Sequence, residues 1–595
     1  MPRFDPTAYS GRGAVGLMVP GVGGTVTRAG ALASLERGKT EHALLGGKPH
    51  GKVIVRPSST PGAEVTFYVA LPPPGRTANH RRYPVAVVGC GLHGLLTSSS
   101  TRISGLISIG DIAQSVERLR RHHCDFSPLG ATEVDDPARN LRSLDRRIAH
   151  VHDARGWALV AVLVTVGSLA LLGGPGVLGC AAAVGASLLL SAAGVDGFWP
   201  LLLGLVGLTL VFAAPGLVRR AVPFLVGLFL VALLLLLVFD TRVNSLAVLG
   251  ARPDGGGRFY GITNQLETLL LAPVLVAAAA AARLRWLVVI GVLSLVTVGW
   301  SHAGADGGGI VVYAAALAVL ALRLRPEPLT ARRVAFAAVV VVALAFAFVG
   351  IDAALGGSSH VTHAVGTGPG SLLGDLGRRL HLSYLSVTAS WGKGLEFAAG
   401  IAVLVAIGAF FRGRPTIDAM LVGLAVSFLV NDTPVDVAFL GALGCWTLVL
   451  WDAVDSRAMR RRTGPVVLFA SLVVLGLAIA GCGSEGTVRA TPATIVGTVK
   501  QEAPGKGIFV KQGCNACHTY MPAAAKGTIG PDLDKLPDFA KKAKQPLAAF
   551  VKESIVDPNK YVEKGFPPNV MPKTYAKLPS SDIKALVDFL TKPSG

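Results

Sequence analysis

Near the C-terminal end of the chain, residues 513–520 read GCNACHTY. Cys514, Cys517 and His518 form C-x-x-C-H. The two-residue gap suits thioether bonds from both cysteines to the vinyl groups of one haem, with His518 giving an axial nitrogen to iron. A redox-active C-x-x-C does not need the adjacent histidine. Structural zinc needs two further ligands, and no cysteine or histidine follows residue 518. The spacing therefore predicts one covalent haem c. A second axial ligand is expected to be a soft side chain returned by the fold, and methionine is the usual type. Met521 lies three residues beyond His518, too close to reach the opposite haem face. Met571, in GFPPNVMPKTY, lies 53 positions beyond His518 in a loop stiffened by prolines. His518 and Met571 are the expected metal ligands, and no catalytic residue is assigned.

The elements that must position these residues belong to a stretch of distinct composition. Only Lys39, Lys48, Lys52 and Lys393 precede residue 483, whereas 15 lysines and a single arginine, Arg489, lie in the last 113 residues. Such a shift marks a domain of separate origin. Just before it, MRRRTGPVVLFASLVVLGLAIAGCGSEG runs from Met459. Its basic start, apolar stretch and Ile479-Ala480-Gly481-Cys482 ending resemble a bacterial lipoprotein signal, with Cys482 as the lipidation site. The other reading is a last transmembrane helix at 464–481. Met459 also suggests two neighbouring genes joined in one frame.

Residues 500–592 resemble a class I monohaem cytochrome c. GIFVKQGCNACH matches the first helix and haem site, GPDL (530–533) the loop beneath the proximal histidine, ESIVDPNKYVEKGFPPNVMP the approach to the distal methionine, and SSDIKALVDFLTK the last helix. The resemblance implies that the Pro531 carbonyl receives the imidazole N–H of His518 and so supports the haem. It also implies single-electron transfer with both axial positions filled, a carrier and not an enzyme. Ile583, Leu586, Val587 and Leu590 recur at helical spacing and are expected to pack on the first helix. After Cys482, 16 basic against 10 acidic residues give +6. Those lysines either steer docking onto a redox partner such as a terminal oxidase or quinol-oxidising complex, or form a solvated surface with no steering role.

The remaining residues read as membrane protein. The chain is 51% apolar with mean hydropathy +0.55. Eleven apolar runs are counted between Trp157 and the 464–481 segment. The net charge of +20 forms no single patch, so nucleic acid is not expected and membrane lipid is. Arg219 and Arg220, Arg283 and Arg285, Arg323 to Arg333, Arg412 and Arg414, and Arg457 to Arg462 occupy alternate joints, which marks those joints as cytoplasmic. Parity then puts residues 1–155, the other joints and the C-terminal domain outside, in a multi-pass bacterial cell-membrane protein. Arg139, Arg142, Arg146, Arg147 and Arg155 sit awkwardly with this, and no apolar signal segment follows Met1. Either the runs at 157–193 are misread or the true start lies upstream.

The expected architecture is multidomain. A partial α/β soluble domain spans 1–155, a polytopic α-helical membrane domain 156–452, a lipoprotein-like signal or last transmembrane helix 459–482, a linker 483–499 and an all-α cytochrome c domain 500–595. In the first part GKVIVRPSS, EVTFYVALPPP and RYPVAVVGCG read as strands. PGVGGTVT has no Gly-Lys-Ser/Thr ending, so no nucleotide is assigned. Cys90, Cys124, Cys180 and Cys445 follow no pairing pattern and read as buried single thiols. LLTSSSTRISGLISIGDIAQSV, GGRFYGITNQLE, HAGADGGG, SHVTHAV and FLVND resemble segments of actinobacterial multi-pass membrane proteins distantly like the alkaline phosphatase and sulfatase superfamily. The first part shows no nucleophile with a full set of Asp and His ligands, which speaks against hydrolase chemistry. His302, Asp306, His360, His363, Asn431 and Asp432 are expected either to line one external site or to be ordinary polar loop residues. The leading function is a membrane-anchored c-type cytochrome in a respiratory chain. The alternative is an extracytoplasmic phosphatase-like or transport protein joined to a cytochrome c domain by gene fusion.

Overall fold

The computed structural model describes residues 11–37, 65–255, 258–280, 284–354, 369–453, 493–499, 504–523 and 525–591. The expected strand at 51–59 and the 459–482 segment with Cys482 lie outside them.

The N-terminal region is a mixed sheet. Beside a two-strand ladder of β2 (Thr25–Thr27) and β4 (Arg76–Ala78), its strands are β1 (Gly13–Val19), β3 (Val65–Leu71), β5 (Tyr83–Gly89), β6 (Gly94–Ser98), β7 (Leu106–Ser108), β8 (Leu129–Thr132) and β9 (Ala493–Val499). They run in the order β8-β6-β1-β5-β3-β9, with β7 also paired to β1. Period-two alternation sends Ala14 and Met18 to one face and Val15, Leu17 and Val19 to the other. Helices α1 (Arg28–Arg37) and α2 (Ile109–Arg121) cover the first face through Ala31, Leu35, Ile112 and Val116. Leu141, Leu144 and Ile148 of α3 (Pro137–Ala170) cover the second. With both faces covered, β1 is buried along its whole length. Several polar residues of LLTSSSTRISGLISIGDIAQSV bond within the segment. Asp111 accepts hydrogen bonds from the Ser98 and Ser100 hydroxyls, each 2.7 Å, and from the Ser108 amide at 2.9 Å, which fixes the start of α2.

β9 comes from the stretch read as a linker. It pairs antiparallel with β3 over seven residues, from Val65 opposite Val499 to Leu71 opposite Ala493.

α3 crosses residue 155 without a break. Its first half packs on the sheet and its second half, through Ala158, Val162 and Val166, enters the helix bundle. Three of the five arginines that crowd it have partners. Arg146 meets Asp196 at 3.1 Å, Arg147 donates to Ser191, and Arg155 donates to the carbonyls of Gly250 and Ala251 at 2.9 Å each. The runs at 157–193 are accordingly helical, ending α3 and forming Gly174–Ala192.

Seven helices of the described residues are long and apolar enough to cross a membrane: Pro137–Ala170, Gly174–Ala192, Phe198–Leu217, Arg219–Phe239, Ala331–Asp352, Trp391–Phe411 and Pro434–Ala453. Asn264–Ala279, Arg285–Gly299, Gly307–Arg323 and Pro415–Val430 are shorter apolar helices. The bundle has two chemically different ends. At one, Arg219 stacks on Trp451 and donates to its carbonyl at 2.7 Å, Arg323 pairs with Asp418 at 2.6 Å, and Arg414 pairs with Asp452 at 3.6 Å. At the other sits the sheet. There Asn79 donates to Gly255 O, and the Arg102 guanidinium lies 3.8 Å over the Tyr260 ring while donating to Ser301 O. Phe259 packs under the sheet core. Two members of the GGRFYGITNQLE segment therefore dock the sheet.

The cysteine expectation is corrected in part. Cys90 and Cys124 form a disulfide with a Cα–Cα distance of 5.7 Å, whereas Cys180 and Cys445 are buried free thiols. Cys90 follows β5 and Cys124 follows α2, so the fold and not the local spacing brings them together. Denatured, unreduced protein should accept thiol label at Cys180 and Cys445 but not at Cys90 or Cys124, and reduction should expose both. Closing a loop of 34 residues should stabilise the N-terminal sheet by about 3–4 kcal/mol relative to a Cys90→Ser, Cys124→Ser variant. Labelling of Cys90 without reductant would contradict the pairing.

Candidate haem site

The C-terminal residues fold as helices Pro504–Lys511, Leu536–Lys542, Leu547–Val556 and Ser580–Thr591, with one helical turn at Cys514–Cys517. A two-residue ladder, Thr519–Tyr520 with Ala525–Lys526, is the minor exception to the all-α expectation. The first and last helices cross on aromatic contacts. Phe509, 1% exposed, meets Phe589, and the Tyr520 hydroxyl donates to Phe589 O at 2.9 Å. Leu586 and Leu590 are buried in the same cluster, with Val587 packed against it. Phe589 is an anchor that the apolar periodicity passes over, because it lies one residue before Leu590 and extends the stripe sideways.

Beneath this crossing is a cavity of ≈ 1290 Å³, part of it open to solvent. Cys514, Cys517, His518, Pro531 and Met571 all line it, together with an apolar wall that includes Phe539, Phe550 and Leu586. The two cysteines stand three apart on a helical turn, which puts them on one face. Both are free thiols.

His518 leaves that turn with extended backbone, and its Nδ1 lies 2.8 Å from the Pro531 carbonyl. A carbonyl only accepts, so Nδ1 carries the proton and the Nε2 lone pair is free. Burial holds the imidazole below its ordinary value while the carbonyl pulls the other way, and the ring is neutral at pH 7. A neutral imidazole is the form that ligates a metal. The loop carrying Pro531 must approach closely. A Cβ on Gly530 would stand 2.5 Å from the His518 ring, so only glycine fits there.

Met571 and Met521 have different surroundings. Met521 is 79% exposed and its amide donates to Asp534. Met571 is half-buried at the cavity, on a loop pinned by two asparagines. Asn559 accepts from the Asn569 amide at 2.7 Å and donates to the Asn569 side chain at 2.9 Å. Asn569 has φ of 65°, a left-handed conformation that asparagine tolerates better than most residues. Beyond the loop, the Tyr575 hydroxyl donates to Gln512 O at 3.0 Å, tying it to the turn before Cys514. Two free thiols, a committed imidazole, a methionine and an apolar wall on one cavity fit haem c.

Elsewhere, part of the expected external group comes together. The Asn431 amide donates to Glu267 at 3.0 Å, Asp306 caps helix Gly307–Arg323 through the Gly309 amide, and Asp432 accepts from Asn264 at 3.1 Å. His302 lies apart against Trp300. His360 and His363 fall outside the described residues. Glu267, the last residue of GGRFYGITNQLE, was not among the expected group. An acidic residue within an otherwise apolar helical run was the signal for it.

The cytochrome c family matches residues 502–593. Among curated proteins and solved structures nothing matches the chain. The resemblance of residues 1–452 to the alkaline phosphatase and sulfatase superfamily is without support.

Met571→Ala should abolish the methionine-to-iron charge-transfer band and lower the reduction potential, while Met521→Ala leaves both nearly unchanged. Survival of the band in the first variant, or its loss in the second, would exclude Met571 as ligand. Gly530→Ala should displace the His518 ring and sharply reduce the yield of haem-loaded protein.

Proposed function

We propose that this protein is a membrane-anchored c-type electron carrier, with its cytochrome c domain on the extracytoplasmic side of a bacterial cell membrane. The observation that carries the reading is the Pro531-oriented imidazole of His518 beside two free thiols on one apolar cavity. Bound there, haem c supplies a one-electron centre. Cys514 and Cys517 anchor it, and His518 and Met571 serve as axial ligands. Pro531 holds the His518 tautomer and orientation, and the wall of Phe539, Phe550 and Leu586 excludes water, which favours the reduced state and a relatively high potential.

Sidedness is supported twice over. The arginine joints meet at the bundle end away from the sheet, as cytoplasmic joints should. The Cys90–Cys124 disulfide suits an oxidising compartment. The β3–β9 ladder supports retention of the cytochrome domain beside the N-terminal sheet even where the chain is processed and lipidated at Cys482. Lysines of the C-terminal domain provide the attraction for an acidic redox partner, such as a terminal oxidase or a quinol-oxidising complex.

A redox titration of the purified protein should give a reversible one-electron transition, with a slope of about 59 mV per decade. A reporter fused after Ser594 and active only in the cytoplasm should be silent. An absent redox transition would refute the carrier role, and cytoplasmic reporter activity would reverse the topology.

A further inference from the structure

At the sheet end of the bundle two acidic side chains are buried together. Glu267 stands in the first turn of helix Asn264–Ala279 and is 0% exposed, while Asp306 caps helix Gly307–Arg323 and is 2% exposed. The two carboxyl groups are neighbours. Oε1 of Glu267 and Oδ2 of Asp306 each lack a hydrogen-bond donor, and Oδ2 has the Arg258 guanidinium 3.4 Å away.

The groups that face the pair are accounted for. Oε2 of Glu267 accepts from Asn431 Nδ2, whose other short contact is the Ser427 hydroxyl at 2.7 Å. Oδ1 of Asp306 accepts from the Gly309 amide at 3.3 Å. Arg258 approaches Asp306 at 3.4 Å and is the cation of the cluster. The Tyr313 hydroxyl is committed to the backbone carbonyl of Glu267 at 2.9 Å.

Two buried carboxylates against one guanidinium leave one negative charge that burial disfavours. Neighbouring carboxylate oxygens, both acceptors, cannot bond to one another unless something positive lies between them. Among the described residues there is no group of three or more His, Cys, Asp or Glu side chains that could hold a metal ion.

We propose that Glu267 and Asp306 are a proton-binding site of the membrane region, the two carboxyls sharing one exchangeable proton. A polar route leads from it to solvent. Asn264, one turn from Glu267, donates to exposed Asp432 and to Thr433, and neighbouring Gln265 donates to Asp436 at 3.0 Å. Asp432 in turn adjoins Asn431, which holds Glu267. The segments GGRFYGITNQLE, HAGADGGG and FLVND thus each contribute to one site, through Arg258 and Glu267, Asp306, and Asn431.

Infrared difference spectra of the full chain in lipid discs, taken between neutral and alkaline pH, test this. Wild type should show a protonated carboxyl C=O band at neutral pH that shifts in deuterated water. Glu267→Gln and Asp306→Asn should each lose it, while Asp135→Asn, at an exposed position outside the site, keeps it. A band unchanged in both site variants, or one abolished at constant pH by sodium or calcium ions, would overturn the proposal. Should the site variants not fold, dicyclohexylcarbodiimide, which labels protonated buried carboxyls, decides on wild type. An adduct on the Glu267 or Asp306 peptide supports the site, and unlabelled peptides for both refute it.

Discussion

The bond between His518 Nδ1 and the Pro531 carbonyl is the constraint on which the C-terminal domain depends. It sets the tautomer, and with it which nitrogen faces the cavity. It also demands that the 530–533 loop run against the ring, which only the missing side chain of Gly530 permits. The crossing of Phe509, Tyr520 and Phe589 then holds the first and last helices so that the turn bearing both cysteines roofs the same cavity as the Met571 loop. Truncating Phe509 would cost about 3–5 kcal/mol, a large part of what a domain of this size has in reserve.

A second constraint joins the rest of the chain. Because α3 is one helix from the sheet into the bundle, the sheet cannot move freely against the membrane region. Arg155 is buried at the changeover and donates to two carbonyls, while Arg102 and Asn79 clamp the adjoining loops. The polar residues at this end therefore divide into those that dock the sheet, such as Tyr260, and those that turn inward, such as Glu267.

The C-x-x-C-H motif was legible in sequence because covalent chemistry requires a fixed local spacing. Chain length and flanking prolines set Met571 apart from Met521, and the structure places the two in different surroundings. The helix bundle was legible from the length of its apolar runs. What sequence did not disclose depends on distant parts of the chain. Cys90 and Cys124 are paired only because the end of β5 comes beside the end of α2. Residues 493–499 read as linker although ATIVGTV is rich in β-branched residues, because its partner β3 lies more than 400 residues away in sequence. The boundary placed at 155 followed composition, whereas α3 changes environment midway without changing secondary structure. Glu267 was hidden at the end of a segment whose aromatic and glycine residues drew attention first.

The central claim is that Cys514 and Cys517 hold haem c covalently. The most direct measurement is the intact mass of the proteolytic peptide spanning residues 512–526, prepared from cells competent in c-type haem attachment. The account predicts one peptide carrying the mass of a single haem, with no thiol left to alkylate. A peptide of unmodified mass with two alkylated cysteines would contradict it.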